Sequence, residues 1–284
     1  MDLSTDDALT MEDMMQGNPD LHQYLYQLYV DTTNALNNEL GIVKYDAKAK
    51  VLQGTGQGCQ MVFWGSALGC EREGGIIKHD YDLDFWVFLK DGSDAQAFVQ
   101  RVAARMWTHG YKVKLCTKEE PHLFKVHPAQ PHIYGKSGAW KELTYYVKDA
   151  DPSLDRPGIV QAAAAMQRKG VPAPNPHGIH VADVEIYVLK DGEGEVNTKY
   201  LKHVQMADIF PLQKKKFGPK GLYAFVPKNS QKMLKAYYGK DCLKKPVLKH
   251  PITHKNHPVP RKFWGPALPP KALRRMNVCP RQKL

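Results

Sequence analysis

The amino-acid sequence predicts an α+β fold. Segments with helical apolar spacing and short apolar strand-like runs follow one another without a regular βαβ period. The composition, 43% hydrophobic and 24% charged over 284 residues, is that of a globular chain long enough for one large domain or two small ones.

The elements follow from local pattern. Residues 1–18 read as a flexible acidic leader. Leu21, Tyr24, Leu25, Leu28, Tyr29 and Leu36 recur at helical spacing and predict a helix over 21–40, stopped by Gly41. Met61-Val62-Phe63-Trp64 predicts a short buried strand ending at Gly65-Ser66. A second strand spans Leu83–Leu89 and ends in the Lys90-Asp91-Gly92 turn. Asp94 can cap a helix carrying Phe98, Val99, Val102 and Met106, closed by Gly110. Strand-like pieces follow at 111–116, 122–126 and 143–147, then a Pro- and Ala-rich stretch with a short helix near 159–168. Ile179–Leu189 is another strong strand with a Lys-Asp-Gly ending, and Asn229 is placed to cap a helix through Met233, Leu234 and Tyr237, stopped by Gly239. The expected organisation is a leader (1–18), a catalytic domain (19–250) and an extended basic Pro/Lys-rich tail (251–284).

Charge is uneven. The formal net charge is +11, yet residues 201–284 carry 20 Lys and Arg against Asp208 and Asp241 alone. Such asymmetry points to an anionic partner, whether nucleic acid, a phosphorylated substrate or an acidic membrane surface; a solvated tail is the plain alternative. No run of 18 apolar residues exists, and the acidic N-terminus lacks an apolar signal core, so neither a signal peptide nor a membrane span is expected. Five cysteines without a Cys-x-x-Cys pair suit a reducing compartment. The expected location is the cytoplasm, with peripheral membrane attachment through the basic tail as an option. Gly54, Gly56 and Gly58 lack the Lys-Ser/Thr of a phosphate-binding loop and read as a turn.

The chemistry is concentrated between Phe63 and Phe88. Asp80, Asp82 and Asp84 alternate with Tyr81 and Leu83, so on an extended chain all three carboxylates share a face. Crowded carboxylates repel; a divalent cation neutralises them, and hard oxygen ligands favour Mg²⁺ or Mn²⁺. An Asp-rich surface loop is the alternative. Upstream, Gly65-Ser66 follows a strand, where a small residue and a hydroxyl let backbone N–H groups approach a phosphate. A Gly-Ser after a strand with an Asp-x-Asp downstream is the general pattern of nucleotidyltransferases. A third carboxylate from a later strand completes that pattern, and Asp183 supplies it, with Glu185 on the same face.

Trp64-Gly65-Ser66-Ala67-Leu68-Gly69-Cys70-Glu71-Arg72 and Gly75-Ile76-Ile77-Lys78-His79-Asp80-Tyr81-Asp82-Leu83-Asp84 resemble, without a gap, the signature of the LicD/fukutin-related family. That signature is Gly-Thr-Leu-Leu-Gly, an Arg three residues on, then a hydrophobic pair and Pro-Trp-Asp-x-Asp-x-Asp. His180-Val181-Ala182-Asp183-Val184, Phe210-Pro211-Leu212, Phe225-Val226-Pro227-Lys228-Asn229 and Leu234 to Gly239 resemble later blocks, so the similarity covers about residues 20–250. Ser66 stands where Thr is usual, Lys78-His79 replace Pro-Trp, and residues 127–178 hold no landmark of the family.

The resemblance implies a nucleotidyltransferase-like mixed sheet flanked by helices. It also implies transfer of a phospho-alcohol, of phosphocholine or ribitol phosphate type, from a CDP-activated donor to a sugar hydroxyl of a glycan or glycoconjugate. On that reading Asp82, Asp84 and Asp183 hold Mg²⁺ or Mn²⁺, Asp80 or Asp183 is the base, and Gly65, Ser66 and Arg72 bind the donor. Arg72 has an alternative as the ion-pair partner of Glu71 or Glu73, and Glu185 as a residue that supports the fold. The runner-up function is a nucleotidyltransferase acting on RNA or another nucleic acid, with the basic third tracking the phosphate backbone.

Overall fold

The computed structural model describes residues 19–80, 82–115, 123–128, 182–198, 201–218, 221–249 and 256–266. Within them the chain is α+β, with five α-helices, one mixed five-stranded sheet and four two-stranded sheets. The expected leader, the pieces at 143–147 and 159–168 and the chain beyond 266 lie outside the described residues.

Helix α1 (Pro19–Leu40) buries Leu25, Tyr26, Leu28, Tyr29, Leu36 and Leu40 and ends at Gly41, whose φ of +69° is accessible to glycine at little cost. The hairpin β1 (Lys44–Asp46) and β2 (Val51–Gln53) follows, then β3 (Gly58–Val62). Gly56 lets the intervening turn close, because a Cβ there would lie 2.3 Å from the Leu40 carbonyl oxygen.

The predicted strand at 61–64 ends earlier, at Val62. Trp64 begins a helix the pattern did not announce, α2 (Trp64–Arg72). Gly65 and Gly69 weaken its intrinsic propensity, so tertiary contacts make it. β4 (Leu83–Leu89) and α3 (Ala95–Thr108) form as expected; Asp94 caps α3 by accepting the Ala97 N–H at 2.9 Å. β5 (Tyr111–Leu115), β6 (Leu123–Pro128) and β7 (Ala182–Val188) complete the large sheet.

The sheet order is β3-β4-β7-β6-β5, with β4 and β7 parallel and central and every other pair antiparallel. One face of β4, Leu83, Phe85 and Val87, is buried towards α1, where Tyr29 stacks on Phe85 at 5.9 Å. The opposite face carries Asp84, Trp86 and Phe88. Trp86 and Phe88 sit among Phe63, Trp64, Tyr187 and Phe210. The apolar body of this second face holds the acidic end of β4 in place.

After β7 come β8 (Glu195–Val196), β9 (Val204–Gln205), α4 (Met206–Ile209), the hairpin β10 (Gln213–Lys216)–β11 (Tyr223–Val226) and α5 (Ser230–Tyr238). Asn229 makes no side-chain cap; its amide donates instead to Asp208 at 2.7 Å. Ser230 Oγ donates to Glu71 at 2.5 Å and Lys215 pairs with the same carboxylate at 3.3 Å, clasping α2 to α5 and β10.

The fold continues past the boundary expected at 250. β12 (Val247–Lys249) pairs with β13 (Asn256–Pro258), Val259 and Phe263 are buried, and Pro266 bridges to Ile77. Of the predicted extended tail, residues 256–266 thus pack on the domain, because alternating Pro, Val and aromatic residues give them apolar area to bury. Among the described residues no helix is long and apolar enough to cross a membrane.

Candidate functional site

The register of the two central strands places Asp84 beside Asp183, one step from the ends of β4 and β7. In parallel neighbours, paired residues project from the same face. Asp183 and Asp84 therefore stand side by side, with Trp86 and Glu185 paired two residues further on. Asp80 and Asp82 precede β4. Asp80 sits at the end of a turn closed by its N–H on the Ile77 carbonyl at 2.9 Å, so one strand does not carry all three acids, as alternation alone suggested.

Asp84 is the pivot. Its N–H donates to Ser66 Oγ and its Oδ2 accepts the Gly65 N–H, both at 3.0 Å; its carbonyl accepts the Phe63 N–H at the same distance. The carboxylate thus caps α2 from 19 residues along the chain, at the positive end of the helix dipole. The polar groups of Gly65 and Ser66 assigned to a donor phosphate are engaged with Asp84 instead. Ser66 is buried, and its O–H remains a donor while its oxygen accepts. Trp64 adopts φ of +43°, a strained value for a bulky residue, and its indole N–H is held by Glu185 at 3.1 Å.

Burial and the charges of Asp82, Asp80, Asp183 and Glu185 push the Asp84 carboxyl well above its usual range. Four other acids thus disfavour its charged form. Among the described residues no group of three or more His, Cys, Asp or Glu side chains is placed to hold a metal ion. What the acids offer is an all-oxygen donor set under mutual repulsion, the chemistry that suits Mg²⁺ or Mn²⁺. Gly65 leaves room for it: a Cβ there would lie 2.9 Å from Asp80 Oδ2 and 3.3 Å from Asp84 Oδ2. Gly65→Ala is therefore expected to leave the fold intact, since only side-chain ends must move, and, on a metal-binding reading of these acids, to weaken Mn²⁺ binding about tenfold or more. Manganese titration followed by electron paramagnetic resonance measures it; wild-type affinity would contradict the role assigned to Gly65.

Glu185 takes the fold-supporting alternative. It accepts from Trp64 Nε1 and Trp86 Nε1, each at 3.1 Å, and from the Tyr187 hydroxyl. Arg72 takes the ion-pair alternative. Its Nε contacts Glu73 at 2.7 Å and its Nη1 donates to the Cys242 carbonyl at 3.1 Å, with both charged side chains only 7% exposed. Glu73 also accepts the Gly265 N–H at 2.6 Å, and Gly218 N–H donates to the Gly74 carbonyl at 2.7 Å. With Ile76 N–H on the Tyr26 hydroxyl at 3.1 Å, these contacts pin the loop that carries the chain from α2 to the acids. His79, in the place of the family's Trp, is held neutral there: burial, with the charges of Arg72 and His22, pushes its pKa down to about 4.

Two residues join the site that the sequence pattern did not single out for it. Lys125 of β6 lies opposite Asp183 and places its Nζ 3.5 Å from Asp183 Oδ2. Tyr238, at the end of α5, has its phenol pKa raised by desolvation and by the charges of Asp84, Asp80, Tyr237 and Asp82. Its neighbour Tyr237 packs on Trp64 at 4.3 Å between ring centroids.

No protein-family model matches the chain, and no curated protein matches it either. The likeness to the LicD/fukutin-related family therefore rests on the residues quoted above.

Proposed function

We propose that the protein is a LicD-like transferase of nucleotidyltransferase type. It moves a phospho-alcohol from a CDP-activated donor to a sugar hydroxyl of a glycan or glycoconjugate, with Mg²⁺ or Mn²⁺. The observation that carries the reading is the register of two parallel central strands, which sets Asp84 beside Asp183 on one sheet face.

Asp82, Asp84 and Asp183 are the residues that would hold the cation. When bound, the cation supplies Lewis-acid polarisation of the donor's phosphoryl group and offsets its charge. The chain does the rest. Asp80 or Asp183 accepts the acceptor hydroxyl's proton. The α2 cap on Asp84 and the loop clamp of Arg72 and Glu73 fix the acids before substrate arrives, which is where preorganised sites gain their rate.

The excess of Lys and Arg after residue 200 favours a second reading, transfer of nucleotides to RNA. A panel of CDP-choline, CDP-ribitol and CDP-glycerol with Mg²⁺ separates the two, read by thermal shift and by mass spectrometry of glycan acceptors. Stabilisation by a CDP-alcohol and addition of its phospho-alcohol mass are expected. A response confined to ATP with RNA would favour the second reading, and no response to any nucleotide would overturn both.

A further inference from the structure

One acid of the site, Asp183, faces a lysine. β6 runs antiparallel to β7, with Lys125 in register with Asp183, so the ammonium projects on the acid face of the sheet. Its Nζ–Oδ2 distance of 3.5 Å is longer than the 2.7–2.9 Å typical of a tight charge-assisted hydrogen bond. The two side chains keep 26% and 22% of their exposure, so the pair is neither locked nor fully desolvated. A lysine is a compact charge on a flexible four-carbon stem and can change partner by rotating that stem, which a planar, buried guanidinium such as Arg72 cannot do.

Resting on the metal-dependent reading above, we propose that Lys125 is a phosphate-gripping residue of the site, parked on Asp183 until a divalent cation takes its place. In the metal-free chain the ammonium offsets part of the repulsion among Asp80, Asp82, Asp84 and Asp183. A divalent ion held by Asp183 would repel the ammonium and would supply that compensation itself. The displaced Nζ then meets the anionic ligand that accompanies the metal, a diphosphate, which a lysine binds as a point charge. The handover makes opposite demands on one side chain: Lys125 opposes metal binding and assists diphosphate binding.

The test uses the full-length protein stripped of metal, with Mn²⁺ and inorganic pyrophosphate as probes. Mn²⁺ affinity is read by electron paramagnetic resonance, and pyrophosphate affinity by calorimetry in saturating Mn²⁺. Lys125→Met, which keeps the apolar stem, is expected to bind Mn²⁺ about 3–10-fold more tightly. The same variant should bind pyrophosphate about tenfold more weakly. Lys125→Arg keeps the charge and should stay near wild type in both, which also guards against a general loss of folding in the Met variant. Unchanged or weaker Mn²⁺ binding in Lys125→Met, or unchanged pyrophosphate binding, overturns the proposal. Asp84→Asn separates the failures. If wild type binds Mn²⁺ and Asp84→Asn does not, while Lys125→Met matches wild type, only the role of Lys125 falls. If wild type binds no Mn²⁺, the metal-dependent reading falls and takes this one with it.

Discussion

Asp84→Asn is expected to abolish the proposed divalent-dependent transfer, by about 10³-fold or more, and at the same time to make the metal-free protein more stable. The two effects share a cause. Asp84 is held among four other acids, and removing its charge removes that repulsion at the cost of a proposed metal ligand. The gain is expected at pH 7.5 as a higher urea midpoint. The pH dependence follows from the sign of the shift. The folded-state pKa of Asp84 lies above its ordinary value of 3.8, so its favourable contribution is complete below that value. It is lost as the pH rises through the raised folded-state pKa. Urea denaturation in EDTA should show wild type losing stability over that rise and Asp84→Asn not doing so. Mn²⁺ should restore the wild type alone. An inactive variant that was also less stable at every pH would point to a structural carboxylate instead.

Arg72→Met is expected to cost about 3–5 kcal/mol of stability, because it leaves Glu73 charged in a nearly dry setting. The side chains of this pair are 7% exposed, and between them they tie α2, the segment around Cys242 and Gly265 to the loop before the acids. The double variant Arg72→Met/Glu73→Gln should recover about half of the loss or more, since the uncompensated charge goes with it. Chemical denaturation of the three variants measures this cycle. A stable Arg72→Met protein with a raised KM for the donor would instead return the guanidinium to the substrate.

The legible part of the fold was local. Asp94 and Gly110 bracket α3, and the β-branched and aromatic run of β4 fixes its ends. Asp80, Asp82 and Asp84 stood out because three Asp at alternate positions have few structural uses, and Asp183 because the general nucleotidyltransferase pattern takes a third carboxylate from a later strand. Helix α2 was hidden by its two glycines and by a cap that comes from Asp84 rather than from its own first turn. Lys125 sits in a strand where a lysine reads as solvent-facing, and its partner lies 58 residues away. Tyr238 has the spacing of a packing residue on α5, and the carboxylates that raise its pKa come from elsewhere in the chain. What the sequence left out is therefore what only tertiary pairing creates.

Asp82, Asp84 and Asp183 are proposed to hold a divalent cation against the diphosphate of a CDP-activated donor. A crystal grown with Mn²⁺ and CDP, with anomalous scattering recorded at the manganese edge, decides it. A manganese peak is expected between the carboxylates of Asp84 and Asp183, with the diphosphate of CDP on it. A nucleotide bound elsewhere, or no manganese between those two acids, would overturn the assignment.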